Sequence, residues 1–367
     1  FYNAAEVPLP CPRSGNEPVT ALIRSIGTAS NENPARTMEA YVRLLPIPGS
    51  PFGEFAIFSE GDPGFNANVQ VYGGDAVEGN VYTNGNVVVE SNSVIHGSIE
   101  AQGSVLLASN AQVRRTVQAG SSVELDSNAS VLQSVTSANS SILLDGNAHI
   151  FGDAMAATTV TLDGNSVVDG VVAGSFQSSP PEAQVFPQFE FDPGAWVEAG
   201  YTINTFSSCL DAKAFVAGIS GGDHVVRIAA PCQLSYSSNE VATVRGNLAI
   251  VADGSMLMGS NTQFLNEGDE HNLFLLFGLG GTGACDIDFS SNTRVAVGLK
   301  SVLYTPCTID MRSNSLVLEG QMIGGSVQFN SNASLSYEPI GVPGYGSTGF
   351  DEDILYMREV ITQPTEA

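Results

Sequence analysis

Val87-VVESNSVIHGSIEAQ, Val105-LLASNAQVRRTVQAG, Val123-ELDSNASVLQSVTSA, Ile142-LLDGNAHIFGDAMAA and Val160-TLDGNSVVDGVVAGS are copies of one phrase. Their first residues lie 18, 18, 19 and 18 positions apart. In each copy an asparagine preceded by Ser or Gly ends the first aliphatic run, giving the column Asn92, Asn110, Asn128, Asn147 and Asn165. Within a copy, aliphatic residues alternate with small or polar ones over a few positions, the pattern of short strands with one buried face. Three such strands fit in one copy, and no copy can bury its own apolar face, so the copies must stack. Stacking at about 4.8 Å per copy superposes equivalent residues, turning the aliphatics into internal ladders and the asparagines into a hydrogen-bonded corner column.

The expected fold is therefore all-β, a parallel β-solenoid (β-helix) of roughly ten coils. A right-handed coil is expected, and the left-handed hexapeptide form is the alternative at this period. Helices do not fit the repeats, where Val, Ser, Asn and Gly dominate without a 3.6-residue apolar period. A degenerate copy, Val69-QVYGGDAVEGNVYTN, opens the series with Gly74 at the asparagine position. The phrase returns late as Ile287-DFSSNTRV, Ile309-DMRSNSLVLEGQMIGGS and Val327-QFNSNASLSY, so that Asn292, Asn314 and Asn332 rejoin the column.

Around the repeats the chain divides into five stretches. Residues 1–50 hold a β-hairpin region, Val19-TALIRSIG and Met38-EAYVRLLP about a turn-rich link. Residues 51–178 form the first solenoid section, opened by the aromatic Phe52-GEFAIFSEGDPG, which is expected to cap the stack, and closed at the paired prolines Pro180-Pro181. Residues 179–222 are an irregular insertion with one short helix, Ser208-CLDAKAFVAGI, N-capped by serine. Residues 223–340 are a second solenoid section with longer loops, and 341–367 an acidic tail expected to be surface-packed or loose.

With 13 basic against 38 acidic residues the net charge is −25, so a phosphate backbone or an anionic membrane surface would be repelled. No 18-residue apolar run or signal peptide is present, and the chain opens at Phe1-Tyr2 without Met, which leads us to expect a processed or excised segment. Five cysteines show no CxxC spacing, against structural zinc and c-type haem. Cys209 and Cys232 lie 23 apart and Cys285 and Cys307 lie 22 apart, about one enlarged coil. These are candidate disulfides, with buried free thiols as the alternative and Cys11 left over. Disulfides would imply an extracellular setting.

Beside the asparagines runs a partly acidic column in which Asp126, Asp145 and Asp163 could hold calcium. Against that stands turn chemistry, since Asp before Gly-Asn or Ser-Asn suits a tight turn. Gly278-LGGTG matches GxGxxG, but no helix follows to bind a pyrophosphate, and a plain loop is expected. Catalysis is not expected. Asp286 and Asp288, Asp223 beside His224, and the bases Arg294 and Lys300 make none of the familiar carbohydrase signatures, and a hydrolase needs two carboxylates with separate roles. His96, His149, His224 and His271 do not align as a metal set. Binding a sugar without chemistry needs only aromatic faces with polar neighbours, for which Trp196 and Tyr201, then Tyr236 and Tyr304, are the candidates. The alternative for these rings is packing of the insertion onto the solenoid wall, and Tyr82, which ends a repeat strand, fits a wall residue as well as a stacking one.

Arg36-Thr-Met-Glu-Ala-Tyr-Val-Arg-Leu, the following Phe55-Ala-Ile-Phe-Ser segment, the corner Asn66-Ala-Asn-Val and the closing Ser301-VLYTPCTIDMRSNSLVLEGQMIGGSVQFNSNASLSYEP are similar, in pattern and order over residues 18–340, to PilX-like proteins of type IV pilus operons. The related tapirins, pilus-locus surface adhesins, also carry a β-helix ectodomain. The hydrophobic pilin helix of that family is absent from this sequence. The resemblance implies a cell-surface or pilus-associated protein, the soluble part of an anchored precursor. We therefore expect an extracellular adhesin that binds polysaccharide or another surface ligand without catalysis, with type IV pilus components as further partners, and with neither nucleic-acid binding nor direct membrane insertion of this segment. A structural pilin-like or filament component is the second expectation, and a solenoid polysaccharide hydrolase or lyase the third.

Overall fold

The structure is a computed structural model and describes residues 20–27, 36–48, 55–66, 68–73, 78–281, 283–312, 316–345 and 347–361. Cys11, Gly74 and Asn314 lie outside the described residues. The chain divides into two compact units, residues 1–51 with 345–367, and residues 52–344.

In the first unit Thr20–Gly27 pairs antiparallel with Arg36–Pro48, the hairpin expected from its alternating β-branched and aromatic residues. A third strand, Ser347–Ile361, pairs along the other edge of Arg36–Pro48. This corrects the expectation of a surface-packed or loose acidic tail: despite its acids, the tail contains the strand-forming run Asp353-ILYMREVI. Its Arg358 and the hairpin's Arg24 close on Glu39, which is 4% exposed, with Nη2 to carboxylate distances of 2.9 and 2.5 Å.

The second unit is a parallel β-solenoid of about 12 coils. The sequence period translates directly into register. Val87, Val105, Val123, Ile142 and Val160 stack in line, as do Val94, Gln112, Ser130, His149 and Val167 on another side. In an internal coil Val117, Ala119, Val123, Leu125, Ala129 and Val131 are all about 0–1% exposed. Burying aliphatic side chains is worth about 1.5–3 kcal/mol each, so every interior coil is held mainly by its own apolar triangle.

The coils do not stack in the order of the chain. Phe55–Ser59 pairs parallel with Asn80–Thr83 on one side and with Leu316–Phe329 on the other. The neighbouring strands Gly64–Phe65 and Gln70–Tyr72 pair likewise with Leu316–Phe329 and Ala333–Tyr337. The chain thus enters the stack at its middle and climbs coil by coil to Val172–Ala173. It then returns along the side and restarts at the far end with Thr202–Phe206, climbing back until its last coil meets its first. Because every pairing is parallel, both sections climb in the same direction, and the return must travel nearly the whole stack, roughly 50 Å. Residues 174–201 make that journey as a strap that is irregular apart from the short helix Pro193–Glu198, a second helix where the sequence leads one to expect only Cys209–Gly218.

Two expectations are corrected by this topology. The aromatic segment at Phe55–Ser59 is not an end cap but a central coil, and its aromatic rings serve the strap and the seam. The stretch 179–222 is not an insertion between consecutive coils. It is the strap followed by the first strand and the helix of the far end. That helix, Cys209–Gly218, is the true cap: Ala212 and Val216 point into the common core, and Cys209 is disulfide-bonded to Cys232 in the next coil.

Candidate binding surface

The asparagine column is a continuous ladder. Asn165 donates through Nδ2 to Asn147 Oδ1, and so on through Asn128, Asn110, Asn92 and Asn68 to Asn332, at 2.8–3.2 Å per bond. In the far section Asn292 donates to Asn261, and Asn261 to Asn239, both at 3.2 Å. From Asn92 to Asn165, and at Asn239, Asn261 and Asn292, the asparagine sits in a turn closed by a backbone bond from the residue after it to the residue two before it, as from Ala129 N to Asp126 O at 3.0 Å, whereas after Asn68 the Val69 N–H bonds the Ser93 hydroxyl. Ser127 and Asn128 both have positive φ, of 52° and 67°, whereas before Asn147 only Gly146 does, at 67°. Asn tolerates the left-handed region and Gly is indifferent to it: at the Gly-Asn corners the glycine alone takes that conformation, whereas at the Ser-Asn corners from Asn92 to Asn128 both residues do.

The acidic residues beside the ladder take part in these turns: Asp145 Oδ1 accepts from Gly146 N at 2.5 Å. Among the described residues no group of three or more His, Cys, Asp or Glu side chains is placed to hold a metal ion. Both candidate disulfides are formed, with Cα–Cα separations of 6.1 Å for Cys209–Cys232 and 5.5 Å for Cys285–Cys307.

The aromatic residues expected to stack on sugars are placed otherwise. Trp196 is 0% exposed, Tyr201 7%, Tyr236 4% and Tyr304 2%, so none offers a ring face to solvent. Trp196 meets Tyr201 and Phe274 edge-on at 4.9 and 5.3 Å. The Tyr304 hydroxyl donates to Pro187 O at 2.9 Å, and Tyr82 donates to Glu182 O at 2.9 Å. The strap has no repeat with which to pair; it is held to the wall by burying Trp196 and Tyr201 against Phe274 and by the Tyr82 and Tyr304 hydroxyls bonding its backbone, whereas Tyr236 packs on Phe264 inside the solenoid core. Burial raises the phenol pKa of Tyr201 and of Tyr236, consistent with sites that water does not reach.

A cleft of about 340 Å³ lies between strap and wall, lined by Phe189, Asp253, Leu279, Tyr304 and the Cys285–Cys307 disulfide. The GxGxxG-like loop borders it through Gly278, Gly281 and Gly283, and the next element is the strand Ile287–Phe289, as expected of a plain loop. Asp253 is held by Arg227 at 2.5 Å and the Tyr304 hydroxyl by the strap, so these polar groups are already engaged. The carboxylates weighed for catalysis likewise have structural partners. Asp286 accepts from Thr308 N at 3.0 Å, Asp288 is bonded by Arg312, and Asp223 accepts from the Asn247 backbone and side chain at 2.8 and 3.0 Å. Lys300 pairs with Glu270 at 3.1 Å.

The exposed rings lie elsewhere, on the outer face of the sheet that follows the asparagine corner. Four residues after each ladder asparagine the wall carries Tyr72, His96, Arg114, Leu132, Phe151 and Asp169, in register from coil to coil. Tyr72 is 39% exposed, Leu132 38% and Phe151 47%, and Arg114 is also exposed. The Tyr72 and His96 rings lie 4.3 Å apart, and His149 stacks on Phe151 at 3.8 Å with its Nε2 3.0 Å from Asp169. From Tyr72 to Phe151 the column runs about 19 Å along the stack axis, four rises of about 4.8 Å. Arg114 and Arg115, the latter paired with Glu78 at 2.7 Å, place cations here on a chain of net charge −25. Histidines that looked unrelated in sequence share this face because one follows its asparagine by four residues and the other by two.

No family model and no curated protein matches the chain. Among solved structures it is similar to the crystal structure of the competence-associated pilin ComZ from Thermus thermophilus, with 11% identity and a TM-score of 0.36, covering 95% of this chain and 85% of that one.

Proposed function

We propose that this protein is an extracellular, pilus-associated surface adhesin that binds a linear polysaccharide without catalysis, along the column Tyr72, His96, Arg114, Leu132 and Phe151. The observation that carries the reading is that exposed column. Rings and aliphatics on a flat, rigid sheet can stack on pyranose faces, and neighbouring Gln112, His149 and Arg114 can bond hydroxyls or acidic substituents. A repeat of about 4.8 Å along the wall is close to the length of a sugar unit, so successive coils can meet successive residues of an extended glycan. Two disulfides favour an oxidising compartment, and the pattern shared with PilX-like and tapirin proteins supports the association with pili. No helix among the described residues is long and apolar enough to cross a membrane.

The test is sedimentation of the purified chain with insoluble cellulose, xylan, chitin and pectin, with reducing-sugar release assayed in the same tubes. Retention without release, lost in the pair Tyr72→Ser and Phe151→Ser but kept in Trp196→Phe, is the expected result. Release of sugar, or retention that ignores the column variants, would refute it. A structural pilin-like or filament component is the second reading, favoured by the long, rigid stack itself.

A further inference from the structure

The two ends of the solenoid are finished differently. At the far end the helix Cys209–Gly218 covers the core, pinned by the Cys209–Cys232 disulfide and by Lys213, which bonds Ser235 O at 2.8 Å and Glu240 at 2.5 Å. At the other end the last coil, Val160–Leu162, Val167–Val168 and Val172–Ala173, pairs with the coil below it. Among the described residues nothing stacks on its outer edge. One coil below, Ile142, Leu144, Ile150 and Ala154 are 0% exposed; in the last coil the equivalent Leu162 and Val172 are 44% and 46% exposed, and Val171 beside them 63%. An open strand edge over an uncovered apolar core is what repeat proteins ordinarily cap.

We propose that this end is a self-association surface, on which two copies of the chain stack coil against coil about a two-fold axis. Three observations select a second copy. The molecule already joins coils that are not consecutive: at the seam, Ile57, Phe58 and Ser59 pair with Met322, Ile323 and Gly324, with Phe65 stacked on Phe329 at 5.3 Å. A coil of this size and period therefore accepts another coil of the same kind. At the helix-covered end the apolar core is closed, and among the described residues only the outer edge of the short strand Thr202–Phe206 lacks a strand partner, so the two ends do not match, and an uncovered core present once per chain closes as an isologous pair. Between Val160 and Ala173 only Asp163 and Asp169 are charged, so few like charges of this acidic chain would face one another across the junction. In the pair the facing strands run antiparallel, which supplies partners for the unpaired backbone groups.

The test is sedimentation velocity of the full chain over a wide concentration range. A concentration-dependent dimer is expected. Leu162→Arg and, separately, Val171→Arg are expected to weaken it by about a hundredfold or more, because a guanidinium would be buried at the junction. Leu210→Arg, on the capping helix and 75% exposed in the wild-type chain, should leave it unchanged. Circular dichroism melts show whether each variant remains folded. A wild-type chain that stays monomeric at the highest concentration, a dimer that survives both end variants, or open-ended polymers would overturn the proposal. Glycan sedimentation reports on the separate column and is independent of this result.

Discussion

Asn68 and Asn332 are 264 residues apart in sequence and are successive rungs of one ladder, Nδ2 of the first to Oδ1 of the second at 2.8 Å. The bond spans the seam where the first and last coils of the solenoid meet. Around it the backbone continues the same pattern, with Gly61 N bonded to Gly325 O at 2.7 Å and Asn66 N to Phe329 O at 2.9 Å. Gln321, 1% exposed, donates to Phe55 O at 3.0 Å. A stack that grows from its middle brings its own chain ends into adjacent coils. In the three-stranded unit the chain likewise leaves at Pro48 and returns opposite it at Ser347.

The seam is expected to be as strong as any other coil junction, so both sections should unfold together. Phe329→Ala removes a ring 1% exposed and stacked on Phe65, and should cost about 3–5 kcal/mol. Urea unfolding followed by tyrosine and tryptophan emission should show one transition moved to lower denaturant. Two separated transitions would show that the sections are independent.

Asn128 combines a left-handed backbone, φ 67°, with two ladder bonds, to Asn110 at 3.0 Å and from Asn147 at 2.9 Å. Asn128→Gly keeps the backbone and loses the bonds, and should cost about 1 kcal/mol or less because the rung is exposed. Asn128→Ala loses both and should cost about 1–2 kcal/mol more. Equal losses in the two variants would show that the turn strain is not as described.

These asparagines mark what the sequence made legible. The 18-residue period defined the coil, the strands and the ladder, because a parallel stack converts period into register. The order of coils was not legible, since the second section could continue the ladder beyond Asn165 or end beneath Asn68 with the same chemistry, and only the parallel seam decides. Sequence alone places candidate sugar-stacking rings in the segment without repeats, where aromatics are conspicuous. That segment must be glued to a wall, so Trp196 and Tyr304 are buried. The exposed column was recoverable from the aligned repeats by counting four residues past each asparagine, although Tyr72 and Phe151 are separated there by His96, Arg114 and Leu132, which share no chemistry.

The Cys209–Cys232 bond closes a loop of 23 residues, for which chain-entropy reasoning gives about 3 kcal/mol. Cys209→Ala with Cys232→Ala should lower stability by about that amount and, by loosening the cap, raise binding of an apolar dye. Removing Cys285–Cys307, which lines the cleft beside the strap, should cost a similar amount without the dye signal. Dye binding to both variants alike would deny the helix its capping role.

Acid should weaken the protein in two windows. Hydrogen bonds from Arg358 and then Arg24 hold the Glu39 carboxyl below its usual range. Its contribution is therefore present above the unfolded-state value and lost as pH falls through the lower folded-state one. Burial, and then the charge of Arg114, hold the His96 imidazole below its usual range, so the folded chain resists its protonation. Stability should already begin to fall as pH drops below the ordinary histidine range. Melting temperatures recorded from pH 8 to pH 3 should lose the first step in His96→Asn and the second in Glu39→Gln. Unchanged profiles would contradict these assignments.

The growth of one stack from its middle outward is tested most directly by a pair of cysteines at the seam. In the variant Asn68→Cys with Asn332→Cys the two thiols would occupy neighbouring rungs of coils about 4.8 Å apart, within bridging distance. Mild oxidation and peptide mass spectrometry should find residues 68 and 332 linked, with no such link in a control pairing Asn165→Cys with Asn332→Cys. Linkage in the control and none at 68–332 would contradict the account.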